Sequence, residues 1–152
     1  MTQFFRAGAG GLIVDEAGLV FAFERSDARG NWQLAQGGLD PGEEPLEAAY
    51  REIKEETGIK RKHLELLDPE PELLAYELPE GRRRSKLGRG QAHYWFAFRF
   101  LGRDSHITLG DQKEFRAWKR TTIHELIQQT AEFRRPVYER LSVRFANLFP
   151  TI

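Results

Sequence analysis

The chain has 152 residues, no cysteine and equal numbers of basic and acidic side chains, for a formal net charge of +0. That length suits a single domain, residues 1–152, able to bury a core without staples; the missing thiols exclude a disulfide frame and thiolate catalysis, and the charge balance argues against global steering toward nucleic acid, so no DNA partner is expected. No run of about eighteen apolar residues occurs, and MTQFFRAGAGG lacks a basic segment followed by an apolar stretch, so a cytoplasmic protein that does not enter a membrane is expected.

Phe4 to Val14 is rich in glycine and apolar residues, and with Leu19 to Arg25 it flanks Asp15-Glu16-Ala17-Gly18, a pattern that predicts two strands joined by a hairpin turn. A polar loop over Asp27 to Asn31 leads to a short extended piece, Trp32 to Gln36. A helix is predicted from Pro45 to Thr57, with proline as its first residue and Gly58 just beyond its end. Between Glu65 and Leu78, Pro69 and Pro71 break any long element and leave Leu73 to Tyr76 as a strand, followed by a loop from Pro79 to Gly90. The aromatic run AHYWFAFRFL, Ala92 to Leu101, is the strand expected at the centre of the sheet. Phe115 to Lys119 reads as a further strand, Thr121 or Thr122 as the cap of a helix over Ile123 to Thr130, and Pro136 as the start of a last helix whose Val137, Leu141, Phe145 and Leu148 face the core.

The chemistry concentrates between Gly37 and Ile59, GGLDPGEEPLEAAYREIKEETGI. Leu46, Ala49, Tyr50 and Ile53 form the apolar stripe of this helix. Glu52, Glu55 and Glu56 fall on a second arc about a third of a turn away. Such a face is ordinarily just solvated, but Glu52 and Glu56 repel at i, i+4 spacing, and a hard divalent cation would relieve them. Gly37, Gly38 and Gly42 permit close backbone approach before the helix, so a carbonyl there is available to a metal. Charge is segregated along the chain: acid gathers over 40–56 and 65–80, whereas Arg82, Arg83, Arg84, Lys86 and Arg89 form a basic run that suits a polyanion or a solvated loop.

Gly37, five residues, Glu43, seven residues and then Arg51-Glu52-Ile53-Lys54-Glu55-Glu56-Thr57-Gly58-Ile59 resembles the signature of Nudix hydrolases at every fixed position. Shorter pieces resemble the branch holding RNA pyrophosphohydrolases and diadenosine tetraphosphate hydrolases: Phe5-Arg6, Trp32-Gln33-Leu34-Ala35-Gln36, Gly90-Gln91 before Trp95-Phe96, Glu114-Phe115 with Trp118, and Phe133-Arg134-Arg135-Pro136-Val137-Tyr138. Ala35, His93, Tyr94 and Arg134 depart from the pattern of that branch.

The resemblance implies an α+β fold, a Nudix α/β/α sandwich with a mixed sheet between helices. It implies a pyrophosphohydrolase that uses Mg²⁺, or Mn²⁺, and cleaves dinucleoside polyphosphates or 5′-triphosphate RNA ends by water attack at phosphorus. A nucleoside diphosphate sugar such as ADP-ribose, or a nucleotide-binding module without turnover, are the alternatives. The expected metal ligands are the Gly37 carbonyl, Glu52, Glu55, Glu56 and Glu114, with a general base among the four glutamates and Arg51 orienting them. Glu43 has a competing structural role as a partner of Arg51. Arg6 and Arg25 are candidates for phosphate, Arg134 for substrate contact, and Phe133 with Arg25 or Tyr76 for stacking on a base. None of His63, His93, His106 and His124 is assigned to chemistry.

Overall fold

The computed structural model describes residues 3–83, 88–111 and 113–150. Among the described residues, eight strands make one mixed sheet: β1 (Phe5–Val14), β2 (Val20–Arg25), β3 (Trp32–Gln33), β4 (Ala35–Gly38), β5 (Leu64–Leu66), β6 (Glu72–Glu77), β7 (Gly90–Phe100) and β8 (Phe115–Thr121). β1 runs parallel to β7 along its whole length, and every other pairing is antiparallel. The aromatic run is central as expected, since β7 pairs with β1, β5 and β6.

Three helices cover the sheet: α1 (Pro45–Thr57), α2 (Ile123–Gln129) and α3 (Arg135–Arg144). Strand alternation sends Ala9, Ile13, Phe96 and Phe98 to one face, where they meet Ala49 and Ile53 of α1. Leu12, Val14, Trp95 and Ala97 point the other way, into a second cluster with Leu126 of α2 and Tyr138 and Leu141 of α3. The result is the α+β sandwich expected from the sequence, with a buried core on each side of the sheet.

Helix α1 has the predicted bounds, Pro45 at its start and Gly58 in the left-handed region at φ 80° as its cap. Its buried face is rotated from the predicted stripe. Ala48, Ala49 and Ile53 are fully buried, whereas Leu46 and Tyr50 are only partly so. Glu52 and Glu56 lie under cover with the core residues. Two small residues let the helix sit close to the sheet, and that approach carries the acidic arc inward.

Two further differences, and one choice between expected caps, come from tertiary context. Leu64–Leu66, to which no element was assigned from the sequence, is a strand because Phe98–Phe100 offers it an antiparallel partner. The last helix ends at Arg144, so Phe145 closes it and Leu148 lies in a separate 3₁₀ turn, Ala146–Leu148. Thr122 is the cap of α2, its hydroxyl accepting from the Glu125 N–H at 3.1 Å. Of the basic run, Arg84 and Lys86 lie outside the described residues, and Arg82 belongs to a 3₁₀ turn, Glu80–Arg82.

Candidate active site

Strand β4 lies antiparallel to β1 with Gly37 opposite Ala9, and the α1 face carrying Glu52 packs directly on it. A Cβ at Gly37 would fall inside the Glu52 carboxylate, so any side chain here would displace that carboxylate from the strand. Gly37→Ala is expected to push Glu52 aside and lower kcat/KM about 10- to 100-fold with a matching loss of divalent-cation affinity, as second-sphere changes at metal sites do. Steady-state kinetics across a cation titration checks this.

Arg51 ties the signature together. Its Nε and Nη2 form a fork on Glu43, both at 2.8 Å, while Nη2 also donates to the Gly38 carbonyl at 2.8 Å. Nη1 reaches Glu52 at 2.8 Å and Glu55 at 3.3 Å. The fork, helped by the Asp40 N–H, holds the Glu43 carboxyl down at about 2. Glu43 is thereby committed to Arg51, its structural alternative.

The other two carboxyls behave oppositely. Burial pushes Glu56 up to about 9, reinforced by the nearby carboxylates of Glu52 and Glu114, although the Gln36 N–H donates to its Oε1 at 3.1 Å. Burial also raises Glu52, against the pull of Arg51. Two carboxyls resisting ionisation side by side are what a cation would correct. Glu114 reaches the site from the segment before β8, its carboxylate 3.5 Å from Arg25 Nη1 and its carbonyl accepting from Ser26 N–H at 2.9 Å.

These groups line one cleft of about 420 Å³. Of the residues expected from the sequence, Arg6, Arg25, Gly37, Glu52, Glu56, Tyr76, Glu114 and Arg134 border it. Three do not. Arg51 acts from behind, through the bonds just described. Glu55 faces a separate hollow with Lys54, Thr108 and Asp111, and Phe133 packs on Tyr76 with ring centroids 5.8 Å apart. That direct contact leaves no gap for a base between the two rings. Tyr76 is itself buried, its hydroxyl donating to Gln91 Oε1 at 2.6 Å and accepting from Gln36 Nε2 at 3.1 Å.

The cleft also contains Arg82, from the basic run offered to a polyanion, and Gln33, Gln36, Gln91 and His93, to which no site role was given from the sequence. Gln33, Gln36 and Gln91 stand inside the short matching segments, so a signal existed for them. His93 stood out only as a departure from the pattern. Among the described residues, no three His, Asp or Glu side chains stand together ready to hold a metal; Arg51 engages Glu52, and Arg25 lies against Glu114. The donors themselves, carboxylate oxygens with a backbone carbonyl beside them, are those hard cations prefer.

The cleft thus gathers acid, at Glu52, Glu56 and Glu114, and positive charge, at Arg6, Arg25, Arg82 and Arg134, with Arg25 lying against Glu114. A chain of phosphates bridged by a cation suits such a mixed lining. No described helix is long and apolar enough to cross a membrane.

Residues 4–141 match the NUDIX domain family. The chain is 37% identical over 150 residues to an RNA pyrophosphohydrolase of Cereibacter sphaeroides, covering 95% of this chain and 93% of that relative. Among solved structures, the fold is similar to a C. elegans Ap4A hydrolase in a binary complex (TM-score 0.68, 20% identity, 92% of this chain and 98% of that one). It is likewise similar to the E. coli dihydroneopterin triphosphate pyrophosphohydrolase (TM-score 0.73, 21% identity, 93% and 99%).

Proposed function

Since the chain belongs to the NUDIX family and is a Nudix hydrolase, we propose that it is a divalent-metal-dependent pyrophosphohydrolase that removes phosphate from 5′-triphosphate RNA ends, with dinucleoside polyphosphates as the competing substrate class. The observation that carries this reading is one cleft lined by the carboxyls of Glu52, Glu56 and Glu114 together with the guanidinium groups of Arg6, Arg25, Arg82 and Arg134. The name and extent of the Cereibacter sphaeroides relative favour RNA ends over the other class.

Glu52, Glu56, Glu114 and the Gly37 carbonyl would hold Mg²⁺ or Mn²⁺ once the three carboxyls draw together, Glu52 and Glu114 being engaged by Arg51 and Arg25 in this structure, while Glu55, turned toward the neighbouring hollow, would join only by a side-chain rotation. When bound, such a cation supplies charge neutralisation at the phosphate oxygens and a more acidic water. The protein's own groups do the rest. Arg51 fixes Glu52 against the loop, and Gln36 fixes Glu56 through its backbone N–H. Arg6 and Arg134 offer permanently charged donors to the phosphates. A carboxylate of the Glu52, Glu56 and Glu114 group receives the proton of the attacking water.

Product analysis in one Mg²⁺ buffer, comparing a 5′-triphosphate RNA oligonucleotide, diadenosine tetraphosphate and ADP-ribose, tests the reading. Release of pyrophosphate or phosphate from the RNA at the highest kcat/KM is expected. Preference for diadenosine tetraphosphate, giving ATP and AMP, would move the chain to the competing class. Cleavage of ADP-ribose alone would overturn both.

A further inference from the structure

The floor of the cleft holds buried polar atoms with no partner among the described residues: His93 Nδ1, Arg134 Nε and Nη1, and Gln36 Oε1. Buried polar groups are nearly always satisfied within a folded protein, so several exceptions along one cleft point to partners that the chain itself does not supply, water or a ligand. Arg134 is 6% exposed and His93 2% exposed. The Arg134 guanidinium lies over the Phe133 ring at 4.6 Å and beside the Tyr76 hydroxyl, which leaves Nε and Nη1 unmet and no carboxylate paired with it among the described residues.

His93 has a defined place in this recess. It stands on β7 opposite Gly8 of β1, where a Cβ would run into its Cδ2 and Nε2 atoms. Tyr76 and Trp95 meet it edge-on, with centroids 5.8 and 5.9 Å away, and fix the ring on both sides. Burial and the positive charges of Arg134 and Arg6 push its imidazole down to about 4, so it is neutral at ordinary pH. The sealed nitrogen, Nδ1, is better left as a bare acceptor than as an orphaned N–H, which puts the proton on Nε2. The ring is then a hydrogen-bond donor among cationic neighbours, a setting that suits an anionic oxygen.

We propose that His93 is a specificity-determining residue that, with Arg134, receives the terminal phosphate of the substrate. A terminal phosphate is small, anionic and rich in acceptors, which matches a neutral imidazole donor beside a buried guanidinium. A dinucleoside polyphosphate carries a nucleoside at each end and has no such group to place there. This deepens the reading of the cleft as a polyphosphate site and rests on it.

Two measurements test it. His93→Leu, which keeps volume and removes the donor, is expected to lower the ratio of kcat/KM for the 5′-triphosphate RNA over diadenosine tetraphosphate by about tenfold, and His93→Gln is expected to restore most of that ratio. An unchanged ratio in a folded His93→Leu protein overturns the proposal, as does a Gln variant no better than Leu. The second measurement is independent of turnover: inorganic pyrophosphate, titrated without metal, is expected to shift the His93 imidazole resonances saturably. A protein that cleaves neither substrate but shows this shift retains the recess and loses the proposed function, whereas turnover without the shift overturns the recess alone.

Discussion

Glu56→Gln is expected to lower metal-dependent turnover about a thousandfold or more, roughly 4 kcal/mol of transition-state stabilisation, while the circular-dichroism spectrum stays that of the wild type. The substitution keeps the shape and the contact to Gln36 but removes a buried negative charge that a cation would need. Stability separates this from simple damage. In metal-free protein burial holds the Glu56 carboxyl up at about 9 when folded, against 4.5 for an unperturbed glutamate. A raised folded value means that the stabilisation is complete at low pH and is lost as pH climbs toward about 9, at up to about 1.4 kcal/mol per unit. Wild-type melting temperature is therefore expected to fall between pH 6 and 9 more steeply than that of the Gln variant. Unchanged turnover in Glu56→Gln would remove this residue from the metal site.

Arg51→Ala is expected to cost about 2 to 4 kcal/mol in a denaturant titration, because it strands partly buried carboxylates rather than removing one surface pair. Glu43 loses both arms of its fork, Glu52 loses its 2.8 Å partner and the Gly38 carbonyl loses a donor. Arg51→Lys is expected to recover less than half of the loss, since an ammonium cannot bind Glu43 through two parallel bonds while reaching Glu52 and Gly38. A Lys variant as stable as wild type would mean that charge alone, not the fork, holds the loop to the helix. Turnover is expected to fall in both variants, because Glu52 is then unconstrained beside Gly37.

The local pattern was sufficient wherever the determinant is short-range. Pro45 and Gly58 bracket α1 as a proline start and a left-handed glycine end do in general, so both bounds were legible. The density of aromatics in Ala92 to Leu101 was enough to mark a central strand. Leu64–Leu66 was not legible, because a three-residue strand is specified by its partner Phe98–Phe100 rather than by its own composition. The overlong last helix has the same origin: Phe145 and Leu148 keep a helical spacing, yet the chain leaves the helix at Arg144.

For the site, the amino-acid sequence by itself determined the signature, the acidic arc on α1, the need for glycine at position 37 and the identity of most arginines in the cleft. These follow from residue type and from spacing along one helix or one loop. Only the tertiary structure decided which members of the set meet. It buried Glu52 and Glu56, turned Glu55 to a different hollow, placed Arg51 behind the cleft and closed Phe133 onto Tyr76. It also brought His93 from β7 beneath Arg134 and Arg6, a neighbourhood assembled from three distant segments. The physical reason is that helical periodicity sets directions around one axis, whereas burial, and with it the protonation of Glu56 and His93, depends on what the other elements bring to that face.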